Sequence, residues 1–144
     1  MDRARVIAQE ISKLLPKLLR GLRAGFVAAP QVTTSQMVTL MRIYEKKNTR
    51  VGILSKEMHV SAPTITGVVD RLLRSGYLRR IPDKQDRRAV NVELTDKGRR
   101  LAENLFSEIN QRWYKILKNL TDEERENYLR ILRRIVEVLA REYA

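Results

Sequence analysis

Guanidinium and ammonium groups are the side chains that hold phosphate, and two stretches of this chain concentrate them. In RRIPDKQDRRAVNVELTDKG, from Arg79 to Gly98, the cations Lys84, Arg87 and Arg88 stand beside Asp83 and Asp86, ahead of an alternating Val90, Val92 and Leu94. Upstream, SAPTITGVVDRLLR sets short hydroxyl residues and a glycine before Arg71 and Arg74. A loop this charged either keeps a surface soluble or grips an acidic partner. Over the whole sequence 29 Lys and Arg stand against 17 Asp and Glu, a formal charge of +12 in 144 residues. Such a balance favours a phosphate-rich partner, with nucleic acid first and an anionic membrane second.

Covalent and metal chemistry are poorly supplied. The chain has no cysteine, which excludes disulfides, thiolate metal sites and thiol redox sensing. His59 is the single histidine and is expected in a turn or at the surface, not in a zinc site. With no cysteine, one histidine and no glycine-rich phosphate loop, nothing assembles a nucleophile with its base. Neither an enzyme nor a cofactor is expected.

The elements that must position the cations follow from period and punctuation. In RVGILSKEMHVSAPTITGVVDRLLRSG a short helix from Val51 to about Met58, a tight turn at His59 and Val60, and a second helix opening at Ser61 follow helix-turn-helix grammar. Ser61 is a good N-cap, Pro63 sits in the first turn, and Gly76 closes the helix as a left-handed cap. On a helical wheel Val68, Val69 and Leu72 fall within about 60° of Ile65 and face the core. Pro63, Thr64, Gly67, Asp70, Arg71 and Arg74 take the opposite face. That face is either ordinary solvated surface or a helix end for the major groove, with hydroxyls at base edges, Gly67 allowing close approach and arginines on phosphates. Strands at Tyr77–Ile81 and Val90–Leu94, joined by a connection too long for a two-residue turn, add a wing that carries the charge.

On either side lie helices. Ile7, Ile11, Leu14, Leu15, Leu18, Leu22 and Phe26 form one apolar stripe, which Pro16 should kink or divide. TTSQ, with Thr33 and Gln36, reads as a capping box for a helix turning Val38, Met41 and Tyr44 inward. Thr95 opens a long helix through Leu101, Leu105, Ile109, Ile116, Leu117 and Leu120, and a second box at Thr121–Glu124 opens the last, with Leu129, Leu132, Ile135, Val136 and Leu139. Two terminal stripes exceed what one small module covers, so each needs the other or a second copy of the chain.

Taken together, HVSAPTITGVVDRLLRSGYLRRIPDKQDRRAVNVELTDKG resembles the DNA-binding core of the MarR family, the multiple antibiotic resistance regulators of bacteria and archaea. DRLLRSGYLRR, PDKQDRR and LTDKG carry the likeness, closely over residues 51 to 98 and loosely over the whole chain. GILSKEM departs from the leucine-alanine pair usual in the helix before. The resemblance implies a mainly α fold with a small β-hairpin wing, a winged helix-turn-helix core flanked by dimerisation helices. It implies three regions of one intertwined unit: an N-terminal dimerisation helix at 1–33, a DNA-binding region at 34–98 and C-terminal dimerisation helices at 99–144. The partner it implies is double-stranded DNA, a pseudo-palindromic operator bound by a homodimer. Ser61, Pro63, Thr64, Thr66 and Gly67 would lie in or beside the major groove, Arg71 and Arg74 near phosphate. The wing pattern of aspartate, any residue, arginine falls on Asp86 and Arg88, the aspartate orienting an arginine that enters the minor groove, with Lys84 and Arg87 on the backbone.

The function expected is a transcriptional regulator, a repressor relieved by a small aromatic or anionic ligand. Phe26, Met41, Tyr44 and Trp113 are either plain core or the lining of the cavity that family members form for such a ligand. Lys13, Lys17 and Arg20 along the leucine-rich first helix support a rival reading, a basic membrane-surface helix or a non-specific architectural protein. That leucine stripe is, however, needed to cover the last two helices. The longest charge-free run, Ala24 to Met41, is too polar to span a bilayer, and Asp2, Arg3, Arg5 and Glu10 interrupt any secretory signal. A cytoplasmic protein is expected.

Overall fold

A computed structural model describes residues 2–23 and 32–142. Its elements are α1 (Arg3–Arg23), α2 (Thr34–Lys46), β1 (Asn48–Arg50), α3 (Val51–Glu57), α4 (Ala62–Arg74), β2 (Leu78–Pro82), β3 (Val90–Leu94), α5 (Asp96–Leu117) and α6 (Asp122–Glu142). The strands form one antiparallel sheet in the order β1-β3-β2, with Thr49 opposite Val92 and Arg80 opposite the same residue from the other side. The architecture is thus mainly helical with a small β wing.

Local chemistry sets most boundaries. Thr33 accepts from the Gln36 N–H while the Gln36 side chain accepts from the Thr33 N–H at 2.8 Å, a complete reciprocal box. Thr121 and Glu124 repeat it at the start of α6. Ser61 caps α4 and Thr95 caps α5, each accepting from the N–H three residues on. His59 at φ 54° and Gly76 at φ 78° take the left-handed conformation that turns the chain before and after α4.

One core unites the middle of the chain. Leu40 and Ile43 of α2, Leu54 of α3, Ile65, Val68, Val69 and Leu72 of α4, Leu78, Val92 and Leu94 of the wing, and Leu101, Ala102 and Leu105 of α5 pack together out of water. The core therefore crosses residue 98 and takes in the first turns of α5. Despite its unusual sequence, GILSKEM forms α3 and buries Leu54.

Several expectations need correction. Of the two outcomes expected at Pro16, a second helical piece does not occur: α1 runs through it as one helix, with Pro16 exposed. The inward face of α2 is shifted in phase: Gln36, Thr39, Leu40 and Ile43 are buried, Val38 is 48% exposed and Met41 is half-buried, while Tyr44 packs against the core as expected. Polar Gln36 and Thr39 can be buried because both are bonded, Gln36 to Thr33 and the Thr39 hydroxyl to the Ser35 carbonyl at 2.7 Å. Val92 and Leu94 point inward as the alternation requires, whereas Val90 is 46% exposed where the hairpin runs past the edge of the core. α5 ends at Leu117, short of Leu120, where the Arg125 Nε donates to the freed Leu117 carbonyl at 2.8 Å.

The two terminal helices differ from the rest. Neither α1 nor α6 has a single buried residue. Ile7, Ile11, Leu14, Leu15, Leu18 and Leu19 on one, and Leu129, Leu132, Ile135, Val136 and Leu139 on the other, stay exposed. α1 is held to α5 where the Arg112 guanidinium donates to the Gly21 carbonyl. No described helix is long and apolar enough to cross a membrane.

Candidate nucleic-acid interface

α4 presents an open N-terminal half. The Ser61 hydroxyl accepts from the Thr64 N–H at 3.2 Å and shares a hydrogen bond with the Thr64 hydroxyl at 2.7 Å, which fixes both side chains at the helix mouth. Pro63 occupies the first turn and, with Thr66, is exposed. A Cβ added at Gly67 would meet nothing within 4 Å, so internal packing does not require glycine there. Arg71 and Arg74 continue along the exposed side, while Ile65, Val68, Val69 and Leu72 are buried on the other as the wheel requires. Asp70 is tied to the sheet by Arg80 at 3.5 Å.

Opposite α4 stands the loop between β2 and β3. Lys84, Asp86, Arg87 and Arg88 are all exposed at its tip. The Asp86 carboxylate accepts from the main-chain N–H of Arg88 at 2.9 Å, so its hold on the arginine runs through the backbone turn. Thr66 and Asp70 on α4 and Arg88, Ala89 and Val90 on the wing line one cleft of about 530 Å³, floored by α3. Among the described residues, Arg71, Arg74, Lys84, Arg87 and Arg88 join no ion pair. These cations remain free for an external anion.

The residue that organises the loop is one the motifs did not single out. Asp83 accepts from the Gln85 N–H at 2.8 Å and the Asp86 N–H at 3.1 Å with one oxygen, and from Arg50 Nε at 2.8 Å and Asn91 Nδ2 at 3.2 Å with the other. The Pro-Asp pair followed by polar residues signals an Asx-type turn, but the Arg50 partner lies 33 residues away, where no local pattern reaches. The Gln85 N–H, joined by Arg50 and the Asp86 N–H, holds the Asp83 carboxyl at about 2, below its ordinary 3.8, against the opposing effect of burial. A depressed folded-state pKa stabilises the ionised, folded form above the unfolded value and loses that contribution as pH falls through the folded one. Protection of the Gln85 and Asp86 amides from hydrogen exchange should accordingly be constant above about pH 4 and fall between there and pH 2. A loss of protection centred near neutrality would contradict this origin.

Of the four residues considered for a ligand cavity, the three that are described pack in different surroundings. Phe26 lies outside the described residues. Met41 is half-buried on α2, the Tyr44 ring packs 5.4 Å from Phe106, and the Trp113 ring packs 5.5 Å from Tyr128. Phe106 and Trp113 stand about two turns apart on α5, so these are two separate aromatic pairs.

A helix pair whose second helix is capped, set against a three-stranded sheet with a charged hairpin tip, defines a winged helix-turn-helix protein. Comparison with known proteins agrees. The model of the MarR family matches residues 32–90. The HTH-type transcriptional repressor NicR of Pseudomonas putida is 30% identical over 134 residues, covering 91% of this chain and 85% of its own. A MarR family protein from Bacillus stearothermophilus superposes with a TM-score of 0.77 at 28% identity, over 96% of this chain and 99% of that one. A mutant MarR from E. coli complexed with operator DNA does so with a TM-score of 0.71 at 26% identity, over 94% and 99%. The chain belongs to the MarR family. It is a winged-helix transcriptional regulator, not an enzyme.

Proposed function

We propose that this chain is a repressor that binds a pseudo-palindromic operator as a homodimer, setting α4 in the major groove and the wing in the adjacent minor groove. The observation that carries the reading is the set of five unpaired cations on α4 and the wing, Arg71, Arg74, Lys84, Arg87 and Arg88, around an open, capped helix mouth. Ser61, Pro63, Thr64, Thr66 and Gly67 would meet or adjoin base edges, and Arg71 and Arg74 phosphates. Region 34–98 would hold DNA, while 1–33 and 99–144 join two copies. NicR is named a repressor and the E. coli relative was solved on operator DNA, which supports both halves of the proposal.

Selection from random duplex DNA tests it directly. The expected product is an inverted repeat with half-sites roughly 10 base pairs apart, centre to centre. Recovery of unrelated sequences with equal affinity would leave a basic, non-specific binder instead.

On the recovered duplex, Arg88→Ala should weaken binding by about 1 to 3 kcal/mol and relax any preference for A·T pairs beneath the wing, where a narrow minor groove concentrates negative potential. Asp86→Ala should weaken it similarly although the protein becomes more basic, because the turn that presents Arg88 loses its acceptor. Simple charge attraction demands the opposite, so titration of both variants across several salt concentrations separates the two. Tighter binding by Asp86→Ala would eliminate the positioning role.

Release by a small aromatic or anionic ligand completes the proposal. A ligand that prefers the non-binding conformation weakens DNA binding, and DNA weakens the ligand by the same factor. Phenolic acids are the first panel to titrate, with Trp113 fluorescence as the readout. Unchanged operator affinity at saturating acid would dismiss that class.

A further inference from the structure

We propose that Arg50, acting through Asp83, sets the pose of the wing against the helix pair and thereby decides whether Arg88 reaches its groove while α4 is seated. The proposal rests on the reading that α4 and the wing both contact DNA. It concerns positioning residues, since neither Arg50 nor Asp83 needs to touch a base.

The wing and the helix pair are joined by few charged links, and these are unequal. Arg80 reaches Asp70 at 3.5 Å, with side chains 67% and 46% exposed; solvent-accessible pairs at that range contribute little. Arg50 Nε reaches Asp83 at 2.8 Å, and the Asp83 side chain is only 6% exposed. One carboxylate thus folds the turn carrying Lys84 to Arg88 and fastens it to the residue immediately ahead of α3.

Two further observations describe the surroundings of this link. Arg50 holds the N-cap position of α3, where a guanidinium, having no acceptor, cannot cap, and its side chain donates to the wing instead. Asn91, opposite Arg50 in the β1–β3 ladder, turns its amide nitrogen to Asp83 and leaves its own Oδ1 buried without a partner. An unsatisfied buried acceptor is costly, so the arrangement around Asp83 must offset it. At the other end of α3, Glu57 is gripped by Arg42 at 2.8 Å and by Lys46, both from α2. This seven-residue helix is therefore clamped to the wing at its start and to the body at its end.

The competing account makes Arg50 an ordinary phosphate contact, and full-length variants on one selected duplex and its scrambled counterpart distinguish the two. The set is Arg50→Gln, Arg50→Lys, Asp83→Asn, Arg88→Ala and the Arg50→Gln/Arg88→Ala double variant. Positioning predicts that Arg50→Gln loses about tenfold in affinity for the selected duplex and much less for the scrambled one. Hydroxyl-radical protection beneath the wing should vanish while that beneath α4 persists. Arg88→Ala should then add little in the Arg50→Gln background, Arg50→Lys should restore most of the binding, and Asp83→Asn should weaken it. Equal losses on both duplexes, additivity with Arg88→Ala and an intact wing footprint would overturn the proposal and leave Arg50 a phosphate contact. Tighter binding by Asp83→Asn, from a liberated Arg50, would do the same. If Arg88→Ala alone binds like wild type, the wing reading is lost and this proposal with it; a weakened Arg88→Ala beside additive Arg50→Gln removes only the proposal. Should Asp83→Asn melt early, Arg50→Gln carries the comparison.

Discussion

Glutamate in place of Leu14 and Leu132 is expected to convert the protein to a folded monomer and to lower its affinity for an inverted repeat by about a hundredfold or more. Leu14 on α1 is 57% exposed and Leu132 on α6 is 38% exposed, each at the middle of a stripe with no buried member. Apolar faces this long are seldom left to water on a lone chain. In the proposed homodimer a second copy would supply a self-complementary partner through a two-fold axis. The winged-helix core draws on Leu40, Leu54, Leu72 and Leu105 and not on either stripe, so the substitutions should spare its fold. Affinity for a single half-site should change little, because what disappears is the effective concentration of the second reading head. Sedimentation velocity, with paired titrations of whole and half sites, provides the check. A double variant that still sediments as a dimer would place the interface elsewhere, and a wild type monomeric at its binding concentration would remove the dimer altogether.

How much of this could be read from the chain depends on the range of each signal. The caps at Thr33, Ser61, Thr95 and Thr121 were legible because each is a bond spanning three residues, specified wholly by local sequence. The buried face of α4 was legible for the same reason, since a clear period places Ile65, Val68, Val69 and Leu72 together. α2 misled because its inward face includes Gln36 and Thr39, polar residues made tolerable by bonds that a hydrophobic pattern does not record. β1 escaped notice because its three residues are too few for alternation; pairing with β3 creates it. Within the site, the exposed cations of the wing were visible as composition, but the groups that shape the wing were not. Arg50 and Asp83 stand 33 residues apart in sequence and are brought together by the folded sheet.

Gly98→Ala is expected to be the most destabilising single methyl the described glycines could accept. Thr95 caps α5 by accepting the Gly98 N–H at 3.1 Å and donates its own N–H to the Tyr77 carbonyl at 3.1 Å, so the first turn of α5 is drawn tightly over the chain leaving α4. A Cβ on residue 98 would lie 2.0 Å from the Tyr77 oxygen and 2.9 Å from its carbonyl carbon. Both are backbone atoms fixed by the buried Tyr77 and the start of β2, so no side chain can swing aside. Relief needs α5 to lift from the sheet, separating Leu101, Ala102 and Leu105 from the core they complete. The cost should be about 3 kcal/mol or more, read as a fall of roughly 10 °C in Tm. Gly67→Ala is the informative control. With nothing within 4 Å of its added Cβ and a place inside α4, it should stabilise the fold by about 0.5 to 1 kcal/mol. If α4 seats in the major groove at Gly67, the same methyl should weaken binding to the selected duplex while Tm rises. A Gly98→Ala protein that melts with wild type would mean the α5–Tyr77 contact yields cheaply. A Gly67→Ala protein with full affinity would place that face of α4 away from the bases.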